Sequence, residues 1–577
     1  MNFHSETGSQ TKLRFGVMCS GDELPAAFAK SVELLLSDPR IELALVIVDT
    51  NPPLRSTAVQ KAKAVFSLRR ALWALHARLF PAQRLPCYKP VGMSQTFTAV
   101  PKIRCSTNRK GKFSEYFRLE DIEAIRGYRL DFILRFAFGI IRGDILKAAK
   151  YGIWSFHHGD ETKFRGGPPG FWEIYHDEPV TAAVLQRLTD RLDGGVILQK
   201  CIIKTRQCSH GDNLNAIMWA TTYMPLRVCR DILNDCAEYL EATPSPSNAP
   251  VFHAPNDFQM VRFLYKTAST WLKQQFMSVL FAQDWNIGIV QGSIDNFLTP
   301  GFQPRVAWLS YKKPDCYIAD PFLLRIGSKL KLLAEEFDLR TNRGSIVETD
   351  LSEGRQAVPL FRKAIDEGVH MSYPYLFEHE GRYYCTPEAW QKQHVSLYAY
   401  DIEREVWSPM AVLIPNLAAV DSTILEFQGR WWLFCTNHDD EVESKLFLWH
   451  SPKLLGPWEP HPGNPVKMDV RSSRPAGRPF VSEGQLYRPA QDSSLGYGGA
   501  ITINRVTCLT VQRFSEEPVA HVTPIKESPY RRGIHTAVSS DSVTVIDGNR
   551  LVFAPRFAWR RITDKARKFV RQDKASS

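Results

Sequence analysis

Residues 151–200, YGIWSFHHGDETKFRGGPPGFWEIYHDEPVTAAVLQRLTDRLDGGVILQK, decide how the first half of the chain is read. An apolar, strand-like run at 152–156 leads into Ser155-Phe156-His157-His158-Gly159. A second strand-like run, 181–188, is followed by Leu192-Asp193-Gly194-Gly195. Between them lies Phe164-Arg165-Gly166-Gly167-Pro168-Pro169, a loop in which glycine permits positive φ and proline fixes its own. An imidazole at one strand end and a carboxylate after the next strand make an acid/base pair, in which the carboxylate orients the ring and raises its pKa. The same spacing also suits a surface His and a turn Asp that share no role.

Outward from this stretch, 13–19 (LRFGVMC) reads as a buried strand, 24–37 as an amphipathic helix and 41–48 (IELALVIV) as a second strand. That order is a βαβ unit and predicts a parallel sheet. The turn Ser20-Gly21-Asp22 holds no G-x-G-x-x-G, so a dinucleotide site is not expected. Helices are expected at 67–80, 120–128 and 213–240, and strands at 131–141 (DFILRFAFGII) and 196–204. Ligands of open parallel sheets gather at the carboxyl ends of strands, which draws attention to the loop beginning at Phe138 and Gly139.

The stretch resembles the catalytic half of the folate-dependent formyltransferases, which act on methionyl-tRNA, glycinamide ribonucleotide or sugars. Their Asn-x-His motif at a strand end is matched by Ser155-Phe156-His157, their Arg-Gly loop by Arg165-Gly166, and their Leu-Asp-x-Gly segment by Leu192-Asp193-Gly194-Gly195. The resemblance implies a mostly parallel, Rossmann-like α/β domain. It also implies catalysis by His157, Asp193 and Ser155, substrate contacts from Arg165, Gly166 and Gly167, and 10-formyltetrahydrofolate lodged partly at Phe138 and Gly139. Ser155 stands where the family has Asn, whose amide polarises the formyl group. A Ser hydroxyl reaches less far, at a cost of several kcal/mol to oxyanion stabilisation.

With 577 residues, 44% hydrophobic and 23% charged, the chain has the composition of a globular protein of two or three domains. The net charge of +11 includes a terminal cluster from Lys565 to Lys574, without any nucleic-acid motif. Eleven cysteines occur singly with no C-x-x-C, which predicts reduced thiols and a cytoplasmic setting, and no metal-ligand spacing is read. The first residues, MNFHSETGSQTKLRF, lack the apolar core of a secretory signal, and no run is long enough to span a membrane. A linker-like segment, 243–250 (TPSPSNAP), precedes an amphipathic helix at 257–283 that carries Lys266 and Lys273. That helix suits interdomain packing or peripheral membrane contact.

From Trp285 onward short β-type runs recur, beginning at Asp320-Pro-Phe, Tyr373-Pro-Tyr, Asp421-Ser-Thr, Arg478-Pro-Phe and, more loosely, His535-Thr-Ala. A period of about 50 residues, each a hairpin with flanking strands, predicts an all-β five-bladed propeller closed by a strand near Ile287. These repeats resemble glycoside hydrolase family 43 and its relatives, including the amino-terminal domain of plant glucosamine inositolphosphorylceramide transferases. The resemblance places Asp320 and Asp421 at the general base and pKa-tuning positions. The general acid position falls near Arg478, where no carboxylate stands. Glu335, Glu336, Glu388 and Glu483 are substitutes whose placement the sequence leaves open, and Asp320, Asp421 and Arg478 equally suit sugar binding without cleavage.

The expected organisation is thus a formyltransferase-like α/β domain at 1–240, a linker and helix at 241–284, a propeller at 285–560 and a basic tail at 561–577. The expected activity is formyl transfer to the amine of a sugar or sugar conjugate, with the propeller binding the glycan. Two alternatives stand beside it: a hydrolytic or glycosyltransferase-associated propeller with an inactive first domain, and a glycan-binding protein without catalysis.

Overall fold

The alternation of apolar runs and helices in the first half builds one seven-stranded sheet. In spatial order its strands are Val196–Lys204, Val180–Arg187, Ile153–His157, Phe132–Arg135, Leu13–Cys19, Ile41–Asp49 and Lys102–Cys105. The last five run parallel, while Val180–Arg187 lies antiparallel to both its neighbours, so the sheet is a mostly parallel α/β sheet. Strands covered on both faces need near-continuous apolar runs. Phe15, Val17, Leu45, Ile47, Phe132, Leu134 and Trp154 are accordingly all buried. The rings of Phe15, Phe132 and Trp154 stack across adjacent strands at centroid distances of 5.3 and 3.9 Å.

The structure, a computed structural model, describes residues 12–52, 70–110, 114–191, 194–351, 360–558 and 562–563. These fall into two units, Met1–Ser269 and Thr270–Ser577. Asp193, the start of the helix expected at 67–80 and most of the basic tail lie outside the described residues.

Three elements of the first unit differ from expectation. The run 131–141 is not one strand: the chain leaves the sheet after Phe132–Arg135, Phe138 turns with φ +64°, and Ile140–Ile141 joins a separate three-stranded sheet. Arg135 causes the break, because its Nη1 donates to the carbonyls of Phe138 and Gly139 at 3.0 and 2.8 Å and folds the segment back on the strand end. The helix expected at 213–240 is two, His210–Ala220 and Met224–Leu233, the second opened by Pro225, which suits a first helical turn. The long helix is Asp257–Leu280, ending where Phe281 begins a strand. Within the first unit its Met260 and Phe263 are buried against Phe171 and Trp172, and Lys266 pairs with Asp177 at 2.6 Å.

The second unit is a succession of antiparallel sheets. The first holds Cys316–Ile326, Lys329–Asp338, Arg343–Asp350 and Arg362–Ile365. The second, third and fourth begin with Ser372–His379, Ala419–Phe427 and Phe480–Ser482. The fifth joins the two ends of the unit: Phe281–Gln291 pairs with Val543–Phe553 along its whole length, flanked by Val306–Trp308 and Ala537–Ser540. Apolar packing links neighbouring sheets, with Phe322 and Leu333 against Tyr375 and Leu376, Trp432 and Phe434 against Leu486 and Val506, and Ile501 and Ile503 against Ile546 and Ala537.

Candidate functional site

Two places bring chemistry-bearing side chains together, one in each unit. In the first, Ser155 and His157 are alternate residues of Ile153–His157 and therefore share one face of the sheet. The parallel register sets Arg135 opposite Ser155. Its guanidinium donates twice to the Ser155 Oγ, from Nη2 at 2.9 Å and from Nε at 3.2 Å. His157 is buried, with Nε2 3.0 Å from the carbonyl of Phe164. A carbonyl only accepts, so Nε2 carries a proton. Burial pushes the neighbouring His158 down to about 3 and keeps it neutral.

The glycine loop is held from within the unit. Arg165–Gly166 pairs with Val251–Phe252, and the Gly167 N–H donates to the Phe252 carbonyl at 3.1 Å. Gly166 has φ +83°, and a Cβ there would fall 2.3 Å from the Phe252 carbonyl oxygen, so only glycine fits. At the expected folate loop, the Phe138 N–H donates to Asp49 and the Gly139 N–H to Glu115, while both carbonyls accept from Arg135. Their peptide groups are all engaged by the protein; the half-buried Phe138 ring packs on Phe117 at 4.8 Å, and Gly139 is exposed. Arg135 did not emerge from sequence reasoning, although a charge inside the apolar run DFILRFAFGII was the available signal. Arg135, Ser155 and His157 together offer a cation and a hydroxyl to a carbonyl oxygen and an imidazole to a proton.

In the second unit, the opening strands of the first three sheets share one irregularity. Each is bulged, between Ala319 and Phe322, Ser372 and Tyr375, and Val420 and Thr423. The residues within the bulges, Asp320, Tyr373 and Asp421, have φ of 50°, 43° and 53°, and Gly477 before the fourth sheet has φ +130°. Left-handed backbone at a residue other than glycine costs about 1–3 kcal/mol and persists only where its surroundings hold it. Here each such amide is anchored on a central side chain. Asp320 donates to Asp547 at 3.3 Å, Tyr373 to Asp320 at 3.2 Å, Asp421 to Glu388 at 3.2 Å and Gly477 to the Tyr373 hydroxyl at 2.8 Å.

These residues surround a cavity of about 280 Å³ lined by Asp320, Glu335, Glu388, Arg474 and Tyr497, with Trp390 and His438 on its wall. The Trp390 and His438 rings are stacked at 3.6 Å and 3°. Arg474 Nε meets the Asp421 carboxylate at 2.5 Å, and Gln491 donates to the same oxygen at 2.9 Å. His535 lies between two acids, Nε2 at 3.3 Å from Asp320 and Nδ1 at 2.5 Å from Asp547. Asp320, His535 and Asp547 bring ligand-type atoms within 4.8 Å of one another, a grouping able to hold a metal ion that spacing in the sequence did not disclose.

Burial, reinforced by neighbouring carboxylates, pushes Glu335 well above the usual carboxyl range. Burial also raises Glu388, Asp421 adds to the rise, and Arg474 opposes it. Burial raises Asp320 while His535 draws it back. For His535 burial works downward, yet Asp547 and Asp320 prevail and raise it. Arg474 is raised, Asp421 and Tyr497 outweighing the downward pull of its own burial. The cavity therefore sets carboxyl groups that favour their proton beside a guanidinium locked in an ion pair, the inequality on which acid and base roles depend.

Asp320 and Asp421 thus meet at one site, with Glu335 and Glu388 beside them. Glu336 instead bonds to Tyr311, and Glu483 sits in an exposed hairpin turn. Arg478 is not among the residues lining the cavity: its guanidinium donates to the carbonyls of Leu323, Leu376 and Ser539, tying inner strands of three sheets together. The arginine at the cavity is Arg474, which the repeat alignment passed over.

The chain joins a part similar to formyltransferases to a part similar to a glycan-related family. Residues 306–538 match the family described as Glucosamine inositolphosphorylceramide transferase 1, N-terminal. Over 212 residues the chain is 36% identical to Glucosamine inositolphosphorylceramide transferase 1 of Oryza sativa subsp. japonica, covering 36% of this chain and 28% of that protein. Over 98 residues it is 31% identical to Methionyl-tRNA formyltransferase of Prochlorococcus marinus, covering 17% of this chain and 29% of that protein. Over 199 residues it is 26% identical to Bifunctional polymyxin resistance protein ArnA of Wigglesworthia glossinidia brevipalpis, covering 32% of this chain and 29% of that protein. The chain spans between 28% and 34% of the curated relatives it matches. Among the described residues, no helix is long and apolar enough to cross a membrane.

Proposed function

We propose that the α/β unit transfers a formyl group from 10-formyltetrahydrofolate to the amine of a sugar or sugar conjugate, and that the second unit, a closed five-bladed propeller, holds the glycan. The observation that carries this reading is the guanidinium of Arg135 on the Ser155 hydroxyl, on the strand face that also presents His157. This donor set suits a formyl group: two kinds of donor for its oxygen, and an imidazole for the amine proton. When bound, 10-formyltetrahydrofolate supplies the electrophilic formyl carbon. Arg135 and Ser155 stabilise the negative charge that develops on the carbonyl oxygen. His157, its Nε2–H held by the Phe164 carbonyl, relays the proton of the attacking amine to N10 of the departing tetrahydrofolate as the bond between N10 and the formyl carbon breaks. Asp193 orients the ring, Arg165, Gly166 and Gly167 shape the acceptor side, and the Phe138 ring with Gly139 borders the donor.

The sugar acceptor is supported by the second unit, whose cavity combines carboxyl groups with a stacked aromatic wall, and by relatives whose name refers to a glucosamine-bearing lipid. The proximity of proton-holding carboxyls to Asp421 favours, as a second reading, glycoside cleavage in the cavity with a first unit that has lost activity.

Calorimetry with a stable 10-formyl folate analogue, paired with a formylation assay on amino sugars, separates these readings. We expect micromolar binding to the wild type and a fall in formylation of roughly 100-fold or more in Arg135→Leu and in His157→Asn. Absence of analogue binding in the wild type ends the folate reading. Glycan turnover lost in Asp320→Asn but kept in His157→Asn establishes the second.

A further inference from the structure

We infer that the cavity of the second unit takes a sugar bearing a free, cationic amine, a hexosamine in preference to a neutral or N-acylated hexose. The inference rests on the glycan-holding part of the proposed function and adds the chemical class of the ligand.

Five carboxyl groups, Asp320, Glu335, Glu388, Asp421 and Asp547, gather around one guanidinium and one imidazole. Both cations are already engaged: Arg474 by Asp421, and His535 by Asp320 and Asp547. Among the described residues, Glu335 and Glu388 therefore line the cavity without a partner cation of their own. Glu388 at least accepts the Asp421 amide through Oε2. The Oε1 of Glu335 is buried and has no hydrogen-bond partner among the described residues. His370 Nε2 is 3.8 Å away, beyond hydrogen-bond reach. It does not supply a charge either, since His370 accepts the Gly344 amide at Nδ1 and burial pushes it down to about 4.

A buried acceptor left without a donor is the mark of a site whose donor arrives with a ligand. Local packing preserves it. A Cβ on Gly344 would fall 2.2 Å from Glu335 Oε1 and 2.5 Å from the Met371 carbonyl oxygen, so the residue behind the carboxyl must be glycine for the carboxyl to stand where it does.

An ammonium brings three donors and a positive charge, which favours loss of the proton from a neighbouring acid and pairs with the carboxylate that results. A hydroxyl brings one donor and no charge, and an N-acyl group adds bulk while removing the charge. The stacked Trp390 and His438 rings give the cavity an aromatic face, which attracts both the C–H face of a sugar and a cation. At about 280 Å³ the cavity is at the small end of ligand pockets, the scale of one sugar ring.

The test is calorimetry on the full chain at neutral pH with glucosamine, N-acetylglucosamine and glucose, each titrated with and without calcium. We expect glucosamine to bind at least about tenfold more tightly than either other sugar. Glu335→Gln, which keeps shape but can never become a carboxylate, should erase that preference. Gly344→Ala, which crowds the carboxyl from behind, should weaken it. The melting curve of each variant reports whether it folds; if neither does, the wild-type comparison of the three sugars decides. Equal affinity for all three overturns the inference while leaving the glycan-holding reading intact. Calcium binding without sugar preference overturns it in favour of a cation site at Asp320, His535 and Asp547. Absence of any sugar binding overturns it together with the reading on which it rests.

Discussion

Position 155 is where residue chemistry bears most on the proposed formyl transfer. A Ser there is shorter than the Asn of the resembling enzymes, and the gap is met by Arg135, which reaches across from the adjacent strand. A guanidinium is always charged, so in the proposed reaction it offers a full cation where the resembling enzymes offer the dipole of an amide. In the second unit the residue of greatest consequence is His535, clasped by two buried acids. Its pKa is raised on folding, so the stability it confers is complete below the unfolded value and is lost as pH rises through the folded one. Glu335 and Glu388, also raised, act in the same direction. We predict that the second unit melts at progressively lower temperature above about pH 6.5, and that His535→Asn flattens part of this slope while costing about 3–5 kcal/mol near neutrality. Melting curves at several pH values check this; identical slopes in variant and wild type would falsify the assignment.

At the scale of elements, the repeated bulge decides which side chains meet. Repeats starting at Asp320, Tyr373 and Asp421 were legible because polar or aromatic residues preceded alternating apolar strands. In the fourth repeat Arg478 looked equivalent, but the left-handed residue is Gly477 and the cavity arginine is Arg474. The two-residue period of a strand carries no record of a bulge, and one inserted residue turns every later side chain to the other face. A Cβ at Gly477 would fall 2.1 Å from the Ala537 carbonyl oxygen. Gly477→Ala should therefore cost about 3 kcal/mol, through both backbone strain and overlap. Chemical denaturation measures it, and an unchanged midpoint would show that the bulge relaxes freely. The run 131–141 carries a similar lesson, since its apolar pattern reads as one strand until Arg135 captures the carbonyls that follow.

For the whole molecule, the sheet that joins the two ends of the second unit depends on residues far apart in the chain. Phe281–Gln291 and Val543–Phe553 pair along their full length, so the sheet that joins the two ends cannot form until both are present. Ending the chain after Ser540 should abolish cooperative unfolding of this unit, because it exposes a long unpaired edge and opens the core around Ile501 and Ile546. Scanning calorimetry and limited proteolysis would show it, whereas a preserved transition would mean that the closing strand is dispensable. Periodic apolar patterning by itself determined the mostly parallel α/β sheet and the succession of antiparallel sheets, because that patterning is local and survives without knowledge of partners. It also marked His157 at a strand end and Asp320 and Asp421 at repeat starts, while Ser155 came from the resemblance to formyltransferases. Only the tertiary structure decided that Arg135 serves Ser155, that Glu335 and Glu388 face Asp320, and that Arg474 rather than Arg478 lines the cavity. Those encounters depend on register, bulges and side-chain reach between strands distant in sequence, where no local pattern records the neighbour.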